Sequence, residues 1–367
     1  MSEEKTLLTE AREEINRIDT EMARLFRERM IASGKVAQYK KETGMPIFDP
    51  VREEEVLRRG EARMEDETLR SYYVNFLRAN MDISKAYQSR LLGGMRVAYS
   101  GVKGAFAQLA ASRIFPDAEC VGYGDFAAAY QAVENGESDV AVLPLENSTG
   151  GDVGTVMDLA FFGSLKINGI YDIEVVQNLL VKPGTELSQI RTVISHPQAL
   201  KQCGEFIKKR GFAPCEAVNT AIAAKKVSES DDPSLAAIGS EEAAKEFGLS
   251  VLCSHIQEEG GNTTRFAVFS RVEKDQSEKD RQFVLLFTVK NEAGALAKAV
   301  SAIGAGGFNL RAIKSRPTRL SSWEYYFFCE GEGCIHGEAG EKMLAELRKT
   351  CNDVKVLGSF EKENVLS

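Results

Sequence analysis

The sequence has few histidines, no paired cysteines and no long apolar run, and each absence excludes a class of protein. Its three histidines, His196, His255 and His336, are too far apart in the chain for zinc-ligand spacing. The seven cysteines are scattered and include no C-x-x-C pair, which is typical of reduced thiols. No run reaches the length of a membrane span, and the acidic N-terminal segment lacks the apolar region of a signal peptide. We therefore expect a cytoplasmic protein that holds no metal and no cofactor and has no membrane partner.

The net charge of −8 argues against a nucleic-acid partner, because phosphate contacts need clustered Lys and Arg. Any site for an anionic substrate must therefore concentrate positive charge locally. At 367 residues the chain exceeds the size of one ordinary core, and its 43% hydrophobic and 27% charged content is that of a globular protein. We expect two or three domains.

Helical periodicity covers the first part of the chain. Apolar residues recur at steps of three and four over about Leu8–Tyr39, which predicts one long helix with a packed seam. Two further helices are predicted at about Pro50–Met64 and Glu67–Leu91. Residues 1–92 are therefore predicted to form an all-helical domain.

Beyond Gly94 short apolar runs alternate with helical stretches, a pattern that predicts an α/β domain with a mostly parallel sheet. The predicted strands are Arg96–Tyr99, Val140–Leu143, Ile170–Leu180, Thr192–Ser195, Ala236–Ile238 and Arg265–Ser270. The polar segment Glu273–Arg281 has the composition of a linker. After it, the elements follow the order β-α-β-β-α-β, which is the split βαβ, ferredoxin-like pattern of an α+β domain. We therefore expect further domains at 95–272 and 281–362.

A cation interrupts the apolar seam of the first helix. Arg29 occupies a seam position, where a guanidinium is costly unless it meets an anion, and so it marks a candidate site. An internal Arg–Glu pair or a helix end that reaches solvent is the structural alternative. Lys40 follows about 16 Å along the same face, so the two cations could hold one small dicarboxylate. Arg12 lies about 25 Å from Arg29, so it reaches such a ligand only from an antiparallel partner chain.

This segment resembles the helical chorismate mutase family over about residues 5–92. The resemblance rests on the order and spacing of Arg12, Glu28-Arg29, Lys40, Pro46, Asp49, Arg52-Glu53, Ser84 and Gln88. It implies an interlaced dimer in which Arg12 of the partner subunit and Arg29 hold the carboxylates of chorismate. Lys40 and Gln88 would hydrogen-bond the ether oxygen, Glu53 would bind the ring hydroxyl, and the pocket would be completed by Arg52, Asp49 and Ser84. The rearrangement is pericyclic, so positioning and charge stabilisation suffice for catalysis.

Polar clusters in the α/β segment fall where strands end and helices begin, which is where open α/β sheets bind anions. The clusters are GVKGAF (101–106), PLENSTGG (144–151), SHPQAL (195–200), NTA (219–221) and NTTRF (262–266). Most Ser, Thr and Asn residues at such junctions are N-caps, so each cluster alone is a weak signal. By the same reasoning His196 is a structural hydrogen-bonding residue rather than a catalyst.

In combination the clusters resemble the prephenate dehydratase family over about 95–272. The resemblance implies two α/β lobes around a cleft, as in periplasmic binding proteins, with Thr264 as the catalytic hydrogen-bond donor to the leaving hydroxyl. The substrate would be contacted by Asn147, Ser148, Ser195, Gln198, Thr220 and Arg265. Arg265 could pair with a substrate carboxylate or, alternatively, form a structural ion pair with Glu146 or Glu258. Two motifs depart from the family pattern, GVKGAF for G-P-x-G-T-F and NTA for S-T-A.

The last segment resembles the ACT regulatory domain of the dehydratases over about 281–362. This family binds phenylalanine at a dimer interface, and the residues that carry the match are Gly294, Ala295, Leu296, Asn309, Leu310, Ser315 and Arg316. The turn at Gly294 lets backbone N–H groups approach a ligand carboxylate, although such a junction needs no ligand to form. Lys314 stands where the family usually has Glu.

The sequence thus predicts a multidomain enzyme of phenylalanine biosynthesis that forms a homodimer or a higher homo-oligomer. It would convert chorismate to prephenate and prephenate to phenylpyruvate, with phenylalanine as the feedback effector. Three alternatives stay open: an enzyme with one inactive site, a non-catalytic metabolite-sensing binding protein, and a dehydratase that uses arogenate.

Overall fold

The computed structural model describes residues 2–43, 50–258, 261–273, 280–318, 324–361 and 365–366. The chain divides into two compact units, the first of Met1–Arg96 with Asn135–Glu137 and the second of Val97–Glu134 with Ser138–Ser367. In the described ranges no helix has the length and apolar character needed to cross a membrane. The same residues contain no group of three or more His, Cys, Asp or Glu side chains that could hold a metal ion.

The first unit is helical, as predicted, with α1 at Ser2–Thr43, α2 at Pro50–Arg63 and α3 at Glu67–Gly93. Asp66 caps α3 by accepting a hydrogen bond from the Thr68 N–H at 2.8 Å. Such a cap satisfies one of the N–H groups that a helix start leaves without a partner.

The two halves of α1 differ in burial. In the C-terminal half, which packs against α3, Met30, Ser33 and Ala37 are buried. In the N-terminal half the predicted seam faces solvent, with exposed fractions of 44–55% at Leu8, Ile15, Ile18, Met22 and Leu25. In the single chain this apolar seam is therefore exposed to solvent.

The second unit contains two α/β lobes. The first lobe begins with β1 (Arg96–Ser100), α4 (Phe106–Ile114), β2 (Glu119–Tyr123), α5 (Phe126–Glu134), β3 (Val140–Asn147), β4 (Gly151–Asp152), α6 (Gly154–Phe162) and β5 (Lys166–Glu174). The second lobe comprises β6 (Asn178–Val181), a 3₁₀ turn (Leu187–Gln189), β7 (Thr192–Ser195), α7 (Pro197–Gln202), α8 (Gly204–Arg210), β8 (Ala213–Glu216), α9 (Thr220–Glu229), β9 (Leu235–Gly239), α10 (Glu241–Glu246) and β10 (Ser250–Cys253). The chain then returns to the first lobe as β11 (Thr263–Ser270), which lies between β5 and β3.

Both sheets are mixed, so the prediction of a mostly parallel sheet is only partly correct. β1 is parallel to β3, and β7 is parallel to β8 and β9. β11 runs antiparallel to both of its neighbours, and β6 runs antiparallel to β9 and β10. The antiparallel pairs involve strands next to the crossings between the lobes, where a returning strand enters the sheet from the opposite end.

Two details of the strand prediction were wrong. The run Ile170–Leu180 is divided between β5 and β6, because the chain crosses from one lobe to the other at residues 175–177. Besides the two-residue strands β4 and β16, three longer strands were missed: β2, β8 and β10. Each is an edge strand with exposed or half-buried residues, so its sequence lacks the continuous apolar run of a central strand.

The C-terminal part confirms the predicted β-α-β-β-α-β order. Its elements are β12 (Gln282–Thr288), α11 (Ala295–Ala305), β13 (Asn309–Pro317), β14 (Tyr325–Glu332), α12 (Glu338–Thr350) and β15 (Asp353–Phe360), and the sheet order is β13-β14-β12-β15. A last strand, β16 (Val365–Leu366), pairs with β5 of the first lobe. Most of the predicted linker lies outside the described residues.

The C-terminal sheet is buried on both faces. On one face Phe283, Leu285 and Phe287 pack against α11 and α12. On the other face Val284 and Phe328 join the hydrophobic core of the first lobe. Alternation along the strands therefore places the C-terminal sheet and the first lobe around one shared core.

Candidate active sites

A cavity of about 290 Å³ opens between the three helices of the first unit, and we call it the helical pocket. Its walls include six of the residues predicted for the first site: Arg29, Lys40, Arg52, Glu53, Ser84 and Gln88. Helical periodicity placed Arg29 and Lys40 on one face of α1, and both side chains line this cavity. The pocket therefore gathers the three predicted cations, with Lys85 as a fourth, around a space of small-molecule size.

Arg29 is half-buried in the pocket wall. Its Nη1 donates to the Asn80 carbonyl at 3.0 Å and to the Ser84 hydroxyl. Burial lowers the pKa of Arg29, because the guanidinium loses hydration there. Among the described residues no carboxylate pairs with Arg29, so the internal Arg–Glu alternative has no support in that part of the chain. A desolvated cation beside a cavity is a suitable partner for an anionic ligand.

Gln88 is the second buried polar group of the helical pocket. Its Nε2 donates to the Ser33 hydroxyl at 3.0 Å, and its Oε1 is buried without a hydrogen-bond partner. A serine hydroxyl donates as well as it accepts. The amide of Gln88 can therefore turn over without losing Ser33, and its Nε2 then takes the position that Oε1 has now.

Lys85 is a pocket residue that sequence reasoning missed. Its Nζ lies 2.9 Å from Glu53 Oε1 and 3.0 Å from Asp82 Oδ1. Burial by itself lowers the pKa of Lys85, but the hydrogen bonds to Glu53 and Asp82 more than offset it, so the pKa is raised. Lys85 thereby holds Glu53 at the wall. The sequence signal that could have identified Lys85 is its position between Ser84 and Gln88 on α3.

Two predicted residues are not part of the helical pocket as described. Arg12 lies in the exposed N-terminal half of α1, as the spacing argument required. Asp49 lies outside the described residues.

The second site is a cavity of about 320 Å³ between the two lobes, and we call it the cleft. Four predicted residues line it: Asn147, Gln198, Thr220 and Thr264. Phe106, Phe126 and Phe266 supply apolar walls. The described lining contains no Lys or Arg, so positive potential must come from the N-termini of α7 and α9, which begin at this cavity, and from amide N–H groups. Arg265, the one cation predicted to contact the substrate here, is not among the residues that line the cavity.

The orientation of the Asn147 amide is determined by its neighbours. Its Oδ1 accepts from the backbone N–H groups of Thr149 at 3.1 Å and Gly150 at 2.8 Å, and from Gln198 Nε2 at 2.9 Å. Its Nδ2 must therefore face the other way, where it donates to Thr264 Oγ1 at 2.8 Å. Because this hydroxyl already accepts a hydrogen bond, its own proton is available to a ligand in the cleft.

Two predicted serines do not line the cleft. Ser195 is completely buried, and its hydroxyl donates to the Ile238 carbonyl at 2.7 Å. The Ser148 hydroxyl accepts from the Thr263 N–H at 3.0 Å. Both hydroxyls bond to backbone groups next to the cleft and so stabilise its backbone. The prediction that these serines contact the substrate is therefore corrected. His196 lines the cleft and caps α7 by accepting from the Gln198 N–H at 3.2 Å, a hydrogen bond of the structural kind that was predicted.

Arg265 was assigned to a substrate carboxylate, and this too is corrected. Side chains alternate along β11, so Arg265 points to the face opposite Thr264. Its guanidinium makes two hydrogen bonds to Glu330, at 3.0 and 2.7 Å, and lies 3.5 Å from Glu146. The structural ion-pair alternative is therefore supported in part: Glu146, one of the two partners named for it, lies near the guanidinium, but the main partner is Glu330.

Three cleft residues were missed as individual candidates. Gln202 Oε1 accepts from Asn262 Nδ2 at 3.1 Å and from Gln177 Nε2 at 3.3 Å. Asn262 Oδ1 in turn accepts from Asn147 Nδ2 at 2.9 Å. Gln177 Oε1 is buried without a partner. Asn262 belongs to a recognised motif, whereas Gln177 lies in the crossing between the lobes, where no local pattern identified it.

The residues predicted to bind an effector lie at two places in the C-terminal part. Gly294 adopts a left-handed conformation (φ 82°) at the start of α11, followed by buried Ala295 and half-exposed Leu296. Asn309 and Leu310 begin β13, and Ser315 and Arg316 end it.

Arg316 does not point to an open ligand site. Its Nε and Nη2 donate to the two Asp158 oxygens on α6, at 2.8 and 2.9 Å. Its assignment to the effector is therefore corrected, because the guanidinium already has a bidentate partner. Lys314 likewise contacts the first lobe, at 2.8 Å from Glu146 and 2.5 Å from Asp152.

Comparisons with known proteins cover both units. Residues 97–274 match the family prephenate dehydratase, and residues 11–89 match the family chorismate mutase type II. The chain is 32% identical over 371 residues to the bifunctional chorismate mutase/prephenate dehydratase of Enterobacter agglomerans, and the match covers 97% of this chain and 96% of that protein.

Two solved structures are also similar. The prephenate dehydratase of Arthrobacter aurescens in complex with L-Phe is 27% identical with a TM-score of 0.67, covering 73% of this chain and 90% of that chain. A structure described as a novel type of quorum-quenching acylase is 29% identical with a TM-score of 0.68, covering 72% of this chain and 97% of that chain.

Proposed function

The chain belongs to the family of bifunctional chorismate mutase/prephenate dehydratases, and we propose that the helical pocket and the cleft are its two active sites. The helical pocket takes chorismate and the cleft takes prephenate, so the enzyme makes phenylpyruvate for phenylalanine biosynthesis. The proposed domains are an all-α mutase at 1–92, a two-lobed dehydratase at 95–272 and a ferredoxin-like ACT domain at 281–362. The scattered free cysteines support a reducing, cytoplasmic compartment.

The mutase reaction needs a folded, compact substrate and stabilisation of charge on the breaking ether bond. The gathering of Arg29 and Lys40 at one cavity supports this reaction, because chorismate carries two carboxylates. Arg29 binds a carboxylate, and Lys40 with Gln88 hydrogen-bonds the ether oxygen as negative charge develops on it. Glu53, held by Lys85, accepts from the ring hydroxyl. No nucleophile or proton transfer is required.

The exposed apolar seam of α1 supports a homodimer. Leaving this row of large apolar side chains in water is unfavourable, and an antiparallel copy of α1 would cover it. The same arrangement brings Arg12 of the partner subunit to the helical pocket. Each mutase site is then built from two chains.

Mixing two inactive variants tests this arrangement. Arg12→Ala and Arg29→Ala should each lack mutase activity. Co-refolding them in equal amounts should restore about a quarter of wild-type mutase activity, because half of the dimers are hybrids and each hybrid has one intact site. The same mixture made without unfolding is the control. If co-refolding restores no mutase activity, the proposal that two chains share each site is refuted.

The orientation of Asn147 is the observation that supports the dehydratase reaction most directly. Loss of the ring carboxylate of prephenate as CO₂ sends an electron pair into the ring, the ring becomes aromatic, and the bond to the ring hydroxyl breaks. The leaving hydroxide takes the Thr264 proton and departs as water, and Thr264 regains a proton from solvent. Asn147 donates to Thr264 Oγ1 and so keeps that proton directed at the substrate.

A coupled assay tests both activities. Purified protein is incubated with chorismate, with prephenate or with arogenate, and the products are separated by chromatography. Chorismate and prephenate should both give phenylpyruvate. Turnover of one substrate alone would identify an inactive site, phenylalanine from arogenate would identify arogenate as a substrate, and no turnover at all would favour a binding protein.

Phenylalanine is the proposed effector of the ACT domain. The left-handed turn at Gly294 leads into an eleven-residue helix, and an amino-acid carboxylate is favoured at the N-terminus of such a helix. Added L-phenylalanine should lower the dehydratase rate, and Gly294→Ala, which strains the turn, should weaken that response. Gly337→Ala is the control, since Gly337 starts α12 with φ −91°. Equal responses in both variants would refute the placement.

A further inference from the structure

The residue after Thr264 connects the cleft to the C-terminal sheet. In the β3–β11 register Thr264 lies opposite Asn147, and Arg265 lies opposite Glu146. Paired residues of an antiparallel ladder share a face, and the next pair has the other face. The Thr264–Asn147 pair therefore faces the cleft and carries the hydrogen bond between these two side chains. The Arg265–Glu146 pair faces the C-terminal sheet.

Glu330 of β14 is the main partner of Arg265 on that face. It is 5% exposed, and both of its oxygens accept from the guanidinium, at 3.0 and 2.7 Å. Arg265 Nε also lies 3.4 Å from Asp172 of β5. Burial by itself lowers the pKa of Arg265, but the hydrogen bonds and charge of Glu330, with the charges of Asp172 and Glu146, more than offset it and raise the pKa. A buried bidentate pair of this kind has a defined geometry.

Lys314 of β13 extends the contact. It lies 2.8 Å from Glu146, which Arg265 also approaches, and 2.5 Å from Asp152 of β4. Two cations and their carboxylates therefore join β3, β4 and β11 of the first lobe to β13 and β14. We call Arg265, Glu330, Glu146 and Lys314 the clamp.

The clamp lies at an irregularity of β3. The β3–β11 register skips Leu145 of β3, between the pairs Glu146–Arg265 and Pro144–Phe266. At such an irregularity the ladder constrains the backbone less, so side-chain contacts decide its path. Without Glu330, Arg265 would pair with Glu146 and Asp172 alone and would draw Glu146, and with it the neighbouring Asn147, out of place.

We propose that Glu330 is a positioning residue for the dehydratase reaction: by holding Arg265 it sets the position of Thr264 relative to Asn147. The C-terminal sheet then completes the geometry of the cleft without touching the substrate. This inference rests on the proposed dehydratase activity of the cleft.

Glu330→Gln tests the inference, because it keeps the shape of the side chain and removes its charge. A small misplacement of reacting groups lowers kcat, so dehydratase kcat should fall on the order of tenfold or more while KM stays within about threefold. Mutase activity, measured on the same sample, should stay at the wild-type value. Glu330→Asp, which keeps the charge, should recover part of the lost kcat.

Glu332→Gln is the matched control. Glu332 lies two residues further along β14, pairs with Arg311 at 3.6 Å and accepts from Asn309 at 2.9 Å. Its loss should leave dehydratase kcat within about twofold. An unchanged kcat in Glu330→Gln, a change confined to KM, or an equal fall in Glu332→Gln would overturn the inference.

If Glu330→Gln does not unfold cooperatively, Glu330→Asp decides the matter. A lowered kcat with an unchanged KM supports the inference, and a wild-type kcat overturns it. A wild-type protein without dehydratase activity would instead refute the proposed function, so the two failures are distinguishable.

Discussion

Asn147→Asp should remove dehydratase activity while leaving the mutase intact. The change replaces one N–H₂ group by an oxygen of similar size. In the structure that group donates to Thr264 Oγ1 at 2.8 Å and to Asn262 Oδ1 at 2.9 Å. A carboxylate accepts hydrogen bonds and cannot donate them. The Thr264 hydroxyl would then donate to Asp at position 147, and its proton would no longer face the leaving hydroxyl.

The expected loss is that of one positioned hydrogen-bond donor in the cleft. Such a loss lowers kcat by about 10²–10³, or about 3–4 kcal/mol of transition-state stabilisation. A new negative charge beside anionic prephenate adds repulsion, so KM should rise as well. The two activities of one chain allow a direct comparison, because the helical pocket and the cleft belong to different compact units.

The assay follows phenylpyruvate from prephenate and, on the same preparation, the disappearance of chorismate. Asn168→Asp provides the control: it is the same chemical change in the first lobe, at a side chain that donates to Ser270 Oγ at 2.6 Å and does not line the cleft. This control should keep dehydratase kcat. If Asn147→Asp retains dehydratase activity within threefold of wild type, the amide does not orient Thr264 and the reasoning fails.

Three further substitutions and one labelling experiment test separate parts of the structure. Thr264→Val should abolish dehydratase activity and leave mutase activity, and Arg29→Ala should do the reverse; loss of both activities in either variant would contradict independent sites. Lys314→Glu should lower the free energy of unfolding in urea by about 1–3 kcal/mol, since it places a third carboxylate against the two that Lys314 contacts, and an unchanged midpoint would refute this. Iodoacetamide at pH 8 should alkylate exposed Cys215 but not Cys203 in the folded protein, because burial raises the pKa of Cys203 to about 12 and leaves a thiolate fraction on the order of 10⁻⁴; early labelling of Cys203, followed by mass spectrometry, would contradict its burial.

Local patterns in the sequence were sufficient for much of the fold. The spacing of apolar residues predicted the three helices of the first unit and put Arg29 and Lys40 on one face, because helical periodicity depends only on neighbours in the chain. The order of elements in the C-terminal part followed from the same kind of signal. His196 was expected to be a structural hydrogen-bonding residue, and in the structure it caps α7, with Pro197 at the first position of that helix.

The direction of individual side chains in the cleft depended on more than their motifs. Ser195 and Gln198 belong to one motif, yet Ser195 ends a central strand and bonds to its neighbour, whereas Gln198 in the next helix faces the cavity. Arg265 was taken with Thr264 as part of one motif, although alternation along β11 puts them on opposite faces. The period of two was a signal that could have separated them.

Other features exist only once distant segments meet. Gln177 becomes a cleft residue because the chain crosses between lobes there, and Glu330 becomes the partner of Arg265 because two sheets share a core. The sequence by itself determined which segments are helices or strands and which residue types are available for chemistry, since these depend on short-range sterics and hydrophobic periodicity. Tertiary structure alone decided which of those groups meet, because contacts between residues far apart in the chain follow from packing, which no local pattern records.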